Sequence, residues 1–108
     1  YQPHQYQRTF YLFKDFVKVL SQLPVQKLLL LDIYDVAGRE EGSILKKVSS
    51  LKLTQEIQSK NPVFEVLHTP SAKDAKTYLS KTLKGGEIVI VMGAGDIYQN
   101  LTFQLCSR

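Results

Sequence analysis

The chain has 108 residues, of which 44% are hydrophobic and 22% are charged, and its formal net charge is +4. This length suits one domain, and the apolar fraction is typical of a globular fold rather than a disordered chain. No apolar run approaches the roughly 20 residues that a transmembrane helix requires. The single cysteine, Cys106, excludes an intrachain disulfide framework and a cysteine-rich zinc module. We therefore expect a cytoplasmic domain.

The basic charge does not identify a partner. Nucleic-acid binders usually concentrate positive charge in a stripe, whereas the lysines here are scattered along the chain. Scattered lysines are typical of solvated helix faces and loops. We therefore expect neither a nucleic acid nor a membrane as partner, and an anionic small molecule stays open as an alternative.

The first predicted elements are a strand end, a helix and a buried strand. Pro3 lacks the N–H that a sheet ladder needs and suits the exit of a strand. An apolar stripe at helical spacing follows Thr9, which is predicted to be the N-cap, and Pro24 is predicted to stop that helix. Lys27–Tyr34 (KLLLLDIY) is a strand-length apolar run without alternation, which indicates burial on both faces. The polar segment Asp35–Ser49 is predicted to be a long loop.

A second helix and strand follow that loop. Ser50–Lys60 is predicted to be a helix with Leu53 and Ile57 as its inner positions, and Val63–Leu67 (VFEVL) is predicted to be a strand. His68–Ser71 opens the next helix, because proline is well placed near a helix start. The predicted buried stripe of that helix comprises Ala72, Ala75, Leu79 and Leu83.

The last predicted elements are a third buried strand and a final helix. Glu87–Met92 (EIVIVM) is the strand, Gly93–Gly95 is a tight turn, and Asp96 is the predicted cap of a helix. The inner residues of that helix are Ile97, Leu101 and Leu105. Strict alternation of strands and helices predicts an α/β fold, here a three-layer sandwich with a mostly parallel, Rossmann-like sheet and helices on both faces.

Ligands of such sheets bind beyond the carboxyl ends of the strands. Four predicted loops lie at that edge: Gln2–Thr9, Asp32–Ser49, Leu67–Ser71 and Met92–Asp96. Gly93 and Gly95 stand where a dinucleotide fingerprint would begin, but its third glycine is replaced by Tyr98, so a plain strand-to-helix turn is the alternative.

Few side chains at this edge have the spacing of a reactive site. His4 and His68 have no metal-ligating residue at a suitable spacing, so no zinc site is expected. Asp32 and Asp35 are either metal ligands or loop caps. Arg8 precedes the predicted helix start, where a guanidinium suits a carboxylate or a phosphate; the alternative is a surface arginine.

Three motifs resemble one family. QPHQYQRT (Gln2–Thr9), followed by an aromatic-rich helix, resembles the F-Q-P-H-x-Y-[ST]-R-T segment in the C-terminal domain of the Mur ligases that join L-alanine to UDP-N-acetylmuramate. Asp32–Tyr34, with Ala37 and Glu40, resembles the D-I-Y-x-A-x-E loop of the same family, although two residues rather than one stand on each side of Ala37. Met92–Ile97 resembles its M-G-A-G-D-I turn. Tyr1, Gln5 and Gln7 depart from the family pattern.

The resemblance implies an ATP-dependent, Mg²⁺-requiring ligase of peptidoglycan synthesis, and hence a role in the cell wall, cell shape and cell division. It implies that Arg8 binds the carboxylate of L-alanine, with His4 and Tyr6 as supporting loop residues. Four residues are placed by it at the edge of the active site: Tyr34, Gly93, Gly95 and Asp96. No catalytic residue and no metal ligand is expected within this chain.

The same resemblance implies that residues 1–108 form a single domain, from which the first strand and helix of the family domain are missing. ATP and Mg²⁺ are then bound mainly by a central domain outside this chain, and UDP-N-acetylmuramate requires a further N-terminal domain. The chain alone is therefore predicted to be inactive. Two alternatives stay open: another Mur-type ligase, such as the one that recycles murein tripeptide, and a stand-alone α/β module for an acidic metabolite.

Overall fold

The computed structural model describes residues 1–34, 48–93, 97–102 and 105. Five helices and two strands are present in that part of the chain: α1 (Tyr6–Tyr11), α2 (Phe13–Leu20), β1 (Lys27–Leu30), α3 (Ser50–Lys60), β2 (Glu65–His68), α4 (Ala72–Thr82) and α5 (Tyr98–Thr102), the last with π-helical geometry. Most of the predicted loop Asp35–Ser49, the turn residue Gly95 and the predicted cap Asp96 lie outside the described residues. No helix in the described ranges is both long and apolar enough to cross a membrane.

A small parallel sheet forms the centre of the fold. Strands β1 and β2 pair in parallel, in a register that runs from Lys27 opposite Glu65 to Leu30 opposite His68. On the other side of β1, the extended segment Tyr1–His4 continues the sheet, since His4 forms a parallel bridge with Tyr34. The predicted α/β class is therefore confirmed, whereas two short strands do not establish a three-layer, Rossmann-like sandwich. The pairing continues past Pro3 to His4, so Pro3 is not the exit of the extended segment.

The prediction of a third buried strand at Glu87–Met92 is wrong. This segment forms no strand, and the side chains of Ile88 and Ile90 are 88% and 69% exposed. Only its carboxyl end is paired, through the N–H of Gln2, which donates to the carbonyl of Met92 at 3.0 Å. The physical reason is that no strand in the described ranges pairs with residues 87–91, so their side chains are not covered.

Apolar side chains pack on both faces of β1. Leu28 and Leu30 belong to one cluster with α2 and α3, and Leu31 belongs to a second cluster with α4 and α5. Successive residues of a strand point to opposite faces, which explains why the apolar run does not alternate. The predicted burial of this strand on both faces is confirmed.

The N-terminal helix differs from its prediction. Two helices, α1 and α2, replace the single predicted helix, and they meet at Leu12. Thr9 is not an N-cap: it lies buried inside α1, where its hydroxyl donates to the carbonyl of Gln5 at 2.9 Å. A threonine within a helix commonly satisfies its hydroxyl on the carbonyl four residues earlier. Helix α2 ends at Leu20, before Pro24 is reached.

The two middle helices follow their predictions closely. Helix α3 spans the predicted residues, and Leu53 and Ile57 are fully buried. Helix α4 begins after Ser71, whose hydroxyl accepts a hydrogen bond from the backbone N–H of Asp74 at 3.1 Å. The Asp74 carboxylate accepts the N–H of Ser71 in return, which completes a capping box. Ala75 is fully buried, as its predicted stripe requires.

Candidate functional site

The carboxyl edge of the sheet brings the first two motifs together. The N–H of Gln5 donates to the carbonyl of Tyr34, and the N–H of Tyr34 donates to the carbonyl of Pro3, both at 2.8 Å. The rings of His4 and Tyr34 stack, with centroids 5.5 Å apart and planes 14° from parallel. Two of the predicted site residues, which are 30 positions apart in sequence, thus form one aromatic pair at this edge.

The third motif reaches the same segment from the other side. The N–H of Gln2 donates to the carbonyl of Met92, and the backbone of the next residue, Gly93, also lies against Gln2. A Cβ atom on Gly93 would lie 3.2 Å from the Cβ atom and the carbonyl oxygen of Gln2, and 3.3 Å from a methyl carbon of Ile97. A side chain at this position is therefore disfavoured, because the neighbouring atoms would have to shift by a few tenths of an ångström to accept it. The other two predicted residues of this turn, Gly95 and Asp96, lie outside the described residues.

Arg8 does not lie in a loop, as the sequence predicted. It is an exposed residue of α1, in the last turn of that helix, because the helix already begins at Tyr6. The turn before it is made by Gln5, whose φ of 68° is a left-handed conformation that side chains rarely adopt. As the third of six residues, Arg8 nevertheless also lies in the first turn of α1, so its predicted place next to a helix start is kept, although that start is earlier than predicted.

The supporting residue Tyr6 has a structural role as well. It is half-buried and packs with Phe10 and Phe13 against a small cluster made by Ile33 and Val48. Tyr6 thereby packs the first turn of α1 against the segment that follows β1. This contact holds α1, and with it Arg8, close to the carboxyl edge of the sheet.

The first residue of the chain lies inside this arrangement. Burial raises the pKa of the Tyr1 phenol, and the nearby charge of Arg8 partly opposes that rise. The backbone nitrogen of Tyr1 donates to the carbonyl of Leu29 at 2.7 Å, which pairs this residue with β1.

A histidine–aspartate pair lies at the same edge and was not predicted from the sequence. His68 Nε2 is 2.7 Å from Asp32 Oδ1, although the two residues are 36 positions apart. The strand register explains the pair: His68 is opposite Leu30, and Asp32 follows two residues later. Each residue alone was recognised as a strand-end residue, but only the pairing of β1 with β2 places them together.

The described residues do not form a complete ligand site. The larger of the two best-defined grooves, of about 690 Å³, runs beside α1, α2 and α3. Its lining includes Phe10, Phe13 and Lys52 and contains none of the predicted site residues. Among residues 1–34, 48–93, 97–102 and 105, no group of three or more histidine, cysteine, aspartate or glutamate side chains could hold a metal ion.

Comparison with known proteins supports the resemblance seen in the motifs. No family model matches the chain. The UDP-N-acetylmuramate–L-alanine ligase of Clostridium tetani is 38% identical to it over 99 residues, and that of Clostridium acetobutylicum is 37% identical over 99 residues. The corresponding ligase of Desulfatibacillum aliphaticivorans is 36% identical over all 108 residues. The chain is similar over most of its length to a segment of these UDP-N-acetylmuramate–L-alanine ligases.

The similarity covers nearly all of this chain but little of each relative. It includes 92% of the chain for both clostridial ligases and 100% for the Desulfatibacillum ligase. The chain spans only 20–22% of the length of these curated relatives. The motif-based resemblance to these ligases is therefore confirmed for this segment.

Proposed function

We propose that the chain is the C-terminal domain of a longer ligase that joins L-alanine to UDP-N-acetylmuramate in the cytoplasm, as a step of peptidoglycan-precursor synthesis. The names of the related proteins support this reaction, and the similarity over 92–100% of the chain supports assigning this chain to them. In this proposal the domain helps to bind the amino acid and closes over the active site.

The observation that carries the proposal is the convergence of three separate motifs at one sheet edge. His4 pairs with Tyr34, and Gln2 pairs with Met92. Residues that are distant in sequence share an edge only because the fold brings them there. In open α/β sheets this carboxyl edge is where ligands bind, so the similar residues occupy the place where a site is expected.

Arg8 is the residue we propose for the carboxylate of L-alanine. It is exposed, and no acidic side chain in the described part of the chain forms an ion pair with it. The methyl group of alanine supplies only about 0.8 kcal/mol when buried, so its carboxylate must provide most of the binding. A guanidinium can hold a carboxylate by two parallel hydrogen bonds, which an ammonium group cannot do.

ATP and Mg²⁺ are assigned to the longer protein and not to this chain. The described residues contain no cluster of metal-ligating side chains, and the 108-residue sequence contains no G-x-x-x-x-G-K-[ST] phosphate-binding loop. The residues present therefore do not fit these ligands, and no chemical step involving them is assigned to this chain. We propose that the central and N-terminal domains bind ATP and UDP-N-acetylmuramate, and that the chain alone is inactive.

The proposal is tested with the full-length protein. Release of phosphate from ATP and Mg²⁺ should require both UDP-N-acetylmuramate and L-alanine. Murein tripeptide in place of L-alanine should support no turnover, whereas activity with the tripeptide alone would assign the chain to the recycling ligase. Absence of turnover with either amine donor, in a folded full-length protein, would contradict a ligase function.

A further inference from the structure

Strand β2 has an outer edge that no strand in the described ranges covers. Its one strand partner there is β1, with which it pairs in parallel. On that side the N–H of Glu65 donates to the carbonyl of Gln26 at 3.2 Å. Because the backbone groups of successive strand residues point to opposite sides, those of Phe64, Val66 and His68 point away from β1, to the outer edge.

The side chain of Gln58 occupies part of this outer edge. Gln58 lies in the last turn of α3, and its Nε2 donates to the carbonyl of Phe64 at 2.8 Å. Its Oε1 accepts the N–H of Val66 at 3.0 Å. Nε2 also donates to the carbonyl of Asn61 at 3.1 Å. A rotated amide would place Nε2 against an N–H and Oε1 against two carbonyls, so these three partners fix its orientation.

The two hydrogen bonds from Gln58 to β2 have the pattern of a parallel ladder. In such a ladder, a residue of the neighbouring strand donates to the carbonyl before the opposite residue and accepts the N–H after it. The carboxamide of Gln58 does the same on either side of Glu65, through Phe64 and Val66. This side chain therefore takes the place of one residue of an additional strand.

The surroundings of the outer edge have room for a real strand. Unpaired N–H and C=O groups at a sheet edge are a template for pairing with another chain. An open groove of about 370 Å³ follows this edge, and its lining includes Gln58, Val63 and Glu65. The side chain of Val63 is 92% exposed and adds apolar surface beside the edge. Without the Gln58 carboxamide, a second strand would therefore find space, apolar surface and unpaired backbone groups together.

We propose that Gln58 is an edge cap, which prevents a second copy of the protein from pairing its own β2 with this strand. A strand edge is self-complementary about a two-fold axis, which makes a second copy the occupant that the geometry favours. In the antiparallel pair, Val66 is opposite Val66 of the second copy, and Phe64 is opposite His68. This register pairs the outward backbone groups from the Phe64 carbonyl to the His68 N–H. The proposal does not depend on the proposed ligase function.

The turn between α3 and β2 does not need Gln58 to hold it. Asn61 Nδ2 donates to the carbonyl of Ser21 at 2.7 Å, and its Oδ1 accepts the N–H of Val63 at 3.1 Å. The buried residues Phe64 and Val66 also pack in the cluster formed with α2 and α3. Removal of the Gln58 side chain should therefore open the outer edge and leave the position of β2 unchanged.

The test measures hydrogen exchange and self-association of the full-length protein. In the unaltered protein, the Val66 amide should exchange slowly, at a rate that is independent of protein concentration. In Gln58→Ala, its exchange in dilute solution should be about tenfold faster, because one hydrogen bond is lost. At higher concentration this variant should associate beyond the state of the unaltered protein, and the Val66 amide should be protected again. Gln55→Ala, at an exposed glutamine of the same helix, is the matched control and should change neither property.

A double variant shows whether the association uses this edge. In Gln58→Ala combined with Val63→Lys, association should be lost, since a charged side chain on an edge strand disfavours the addition of another strand. Association that persists in the double variant, or its absence in Gln58→Ala at every concentration, would overturn the proposal. Fast exchange of the Val66 amide in the unaltered protein would also overturn it, and this measurement decides the question if Gln58→Ala does not fold.

Discussion

His68 Nε2 lies 2.7 Å from Asp32 Oδ1 and joins the ends of the two parallel strands. Both side chains are partly solvated, so the interaction is expected to stabilise the fold only modestly. In a double-mutant cycle of Asp32→Ala and His68→Ala, we expect a coupling free energy of about 0.2–1 kcal/mol, measured by urea unfolding. The longer Lys27–Glu65 contact, at 3.8 Å, serves as control and should couple less. Equal coupling for both pairs would mean that the short contact is not significant in solution.

In the capping box of α4, we expect one substitution to lower the free energy of unfolding by more than the His68–Asp32 pair contributes. Ser71→Ala removes the acceptor for the N–H of Asp74 and should lower the free energy of unfolding by about 1 kcal/mol. Ser80→Ala, an exposed substitution in the same helix, should change it by less than about 0.5 kcal/mol. Thermal and urea unfolding of both variants provide the measurement, and equal losses would exclude a specific role for the cap.

The close approach of Gly93 to Gln2 predicts that even alanine is unfavourable there. The added Cβ atom would be 3.2 Å from two atoms of Gln2, so either the backbone of Gly93 or the residue Gln2 must shift. We expect Gly93→Ala to lower the free energy of unfolding by about 1–3 kcal/mol, the usual cost of overpacking. Met92→Ala, at a neighbouring exposed residue, is the control and should change stability less. Unchanged stability of Gly93→Ala would show that this contact can relax.

Local signals in the sequence were sufficient to predict much of the fold. Helix α3 has the predicted bounds because its apolar positions recur at helical spacing and Ser49 caps it. The Ser71–Asp74 capping box of α4 is also a local feature, although it was not among the predictions. The bounds of the first helix were wrong because Thr9 resembles an N-cap, and nothing local in the sequence reveals that Gln5 adopts a positive φ.

Features that depend on distant contacts were harder to predict. The run Ile88–Met92 has the composition of a buried strand, yet its burial depends on a neighbouring strand and not on its own residues. The His68–Asp32 pair likewise depends on strand register, which no single segment specifies. The convergence of His4 with Tyr34 followed from the expected sheet edge, whereas their ring stacking required the structure.

Arg8 provides the most direct test of the proposed role of this domain in binding L-alanine. In the full-length protein, Arg8→Ala should raise the KM for L-alanine by about ten- to a hundred-fold, because the loss of a charge-assisted hydrogen bond costs about 1.5–3 kcal/mol. Arg8→Lys should also raise the KM for L-alanine, since lysine keeps the charge but cannot make the bidentate hydrogen bonds of a guanidinium. Lys14→Ala, which removes another exposed cation nearby in sequence, should leave this KM unchanged. The KM values for ATP and UDP-N-acetylmuramate should change little. An Arg8→Ala variant with an altered KM for ATP and an unchanged KM for L-alanine would contradict the assignment.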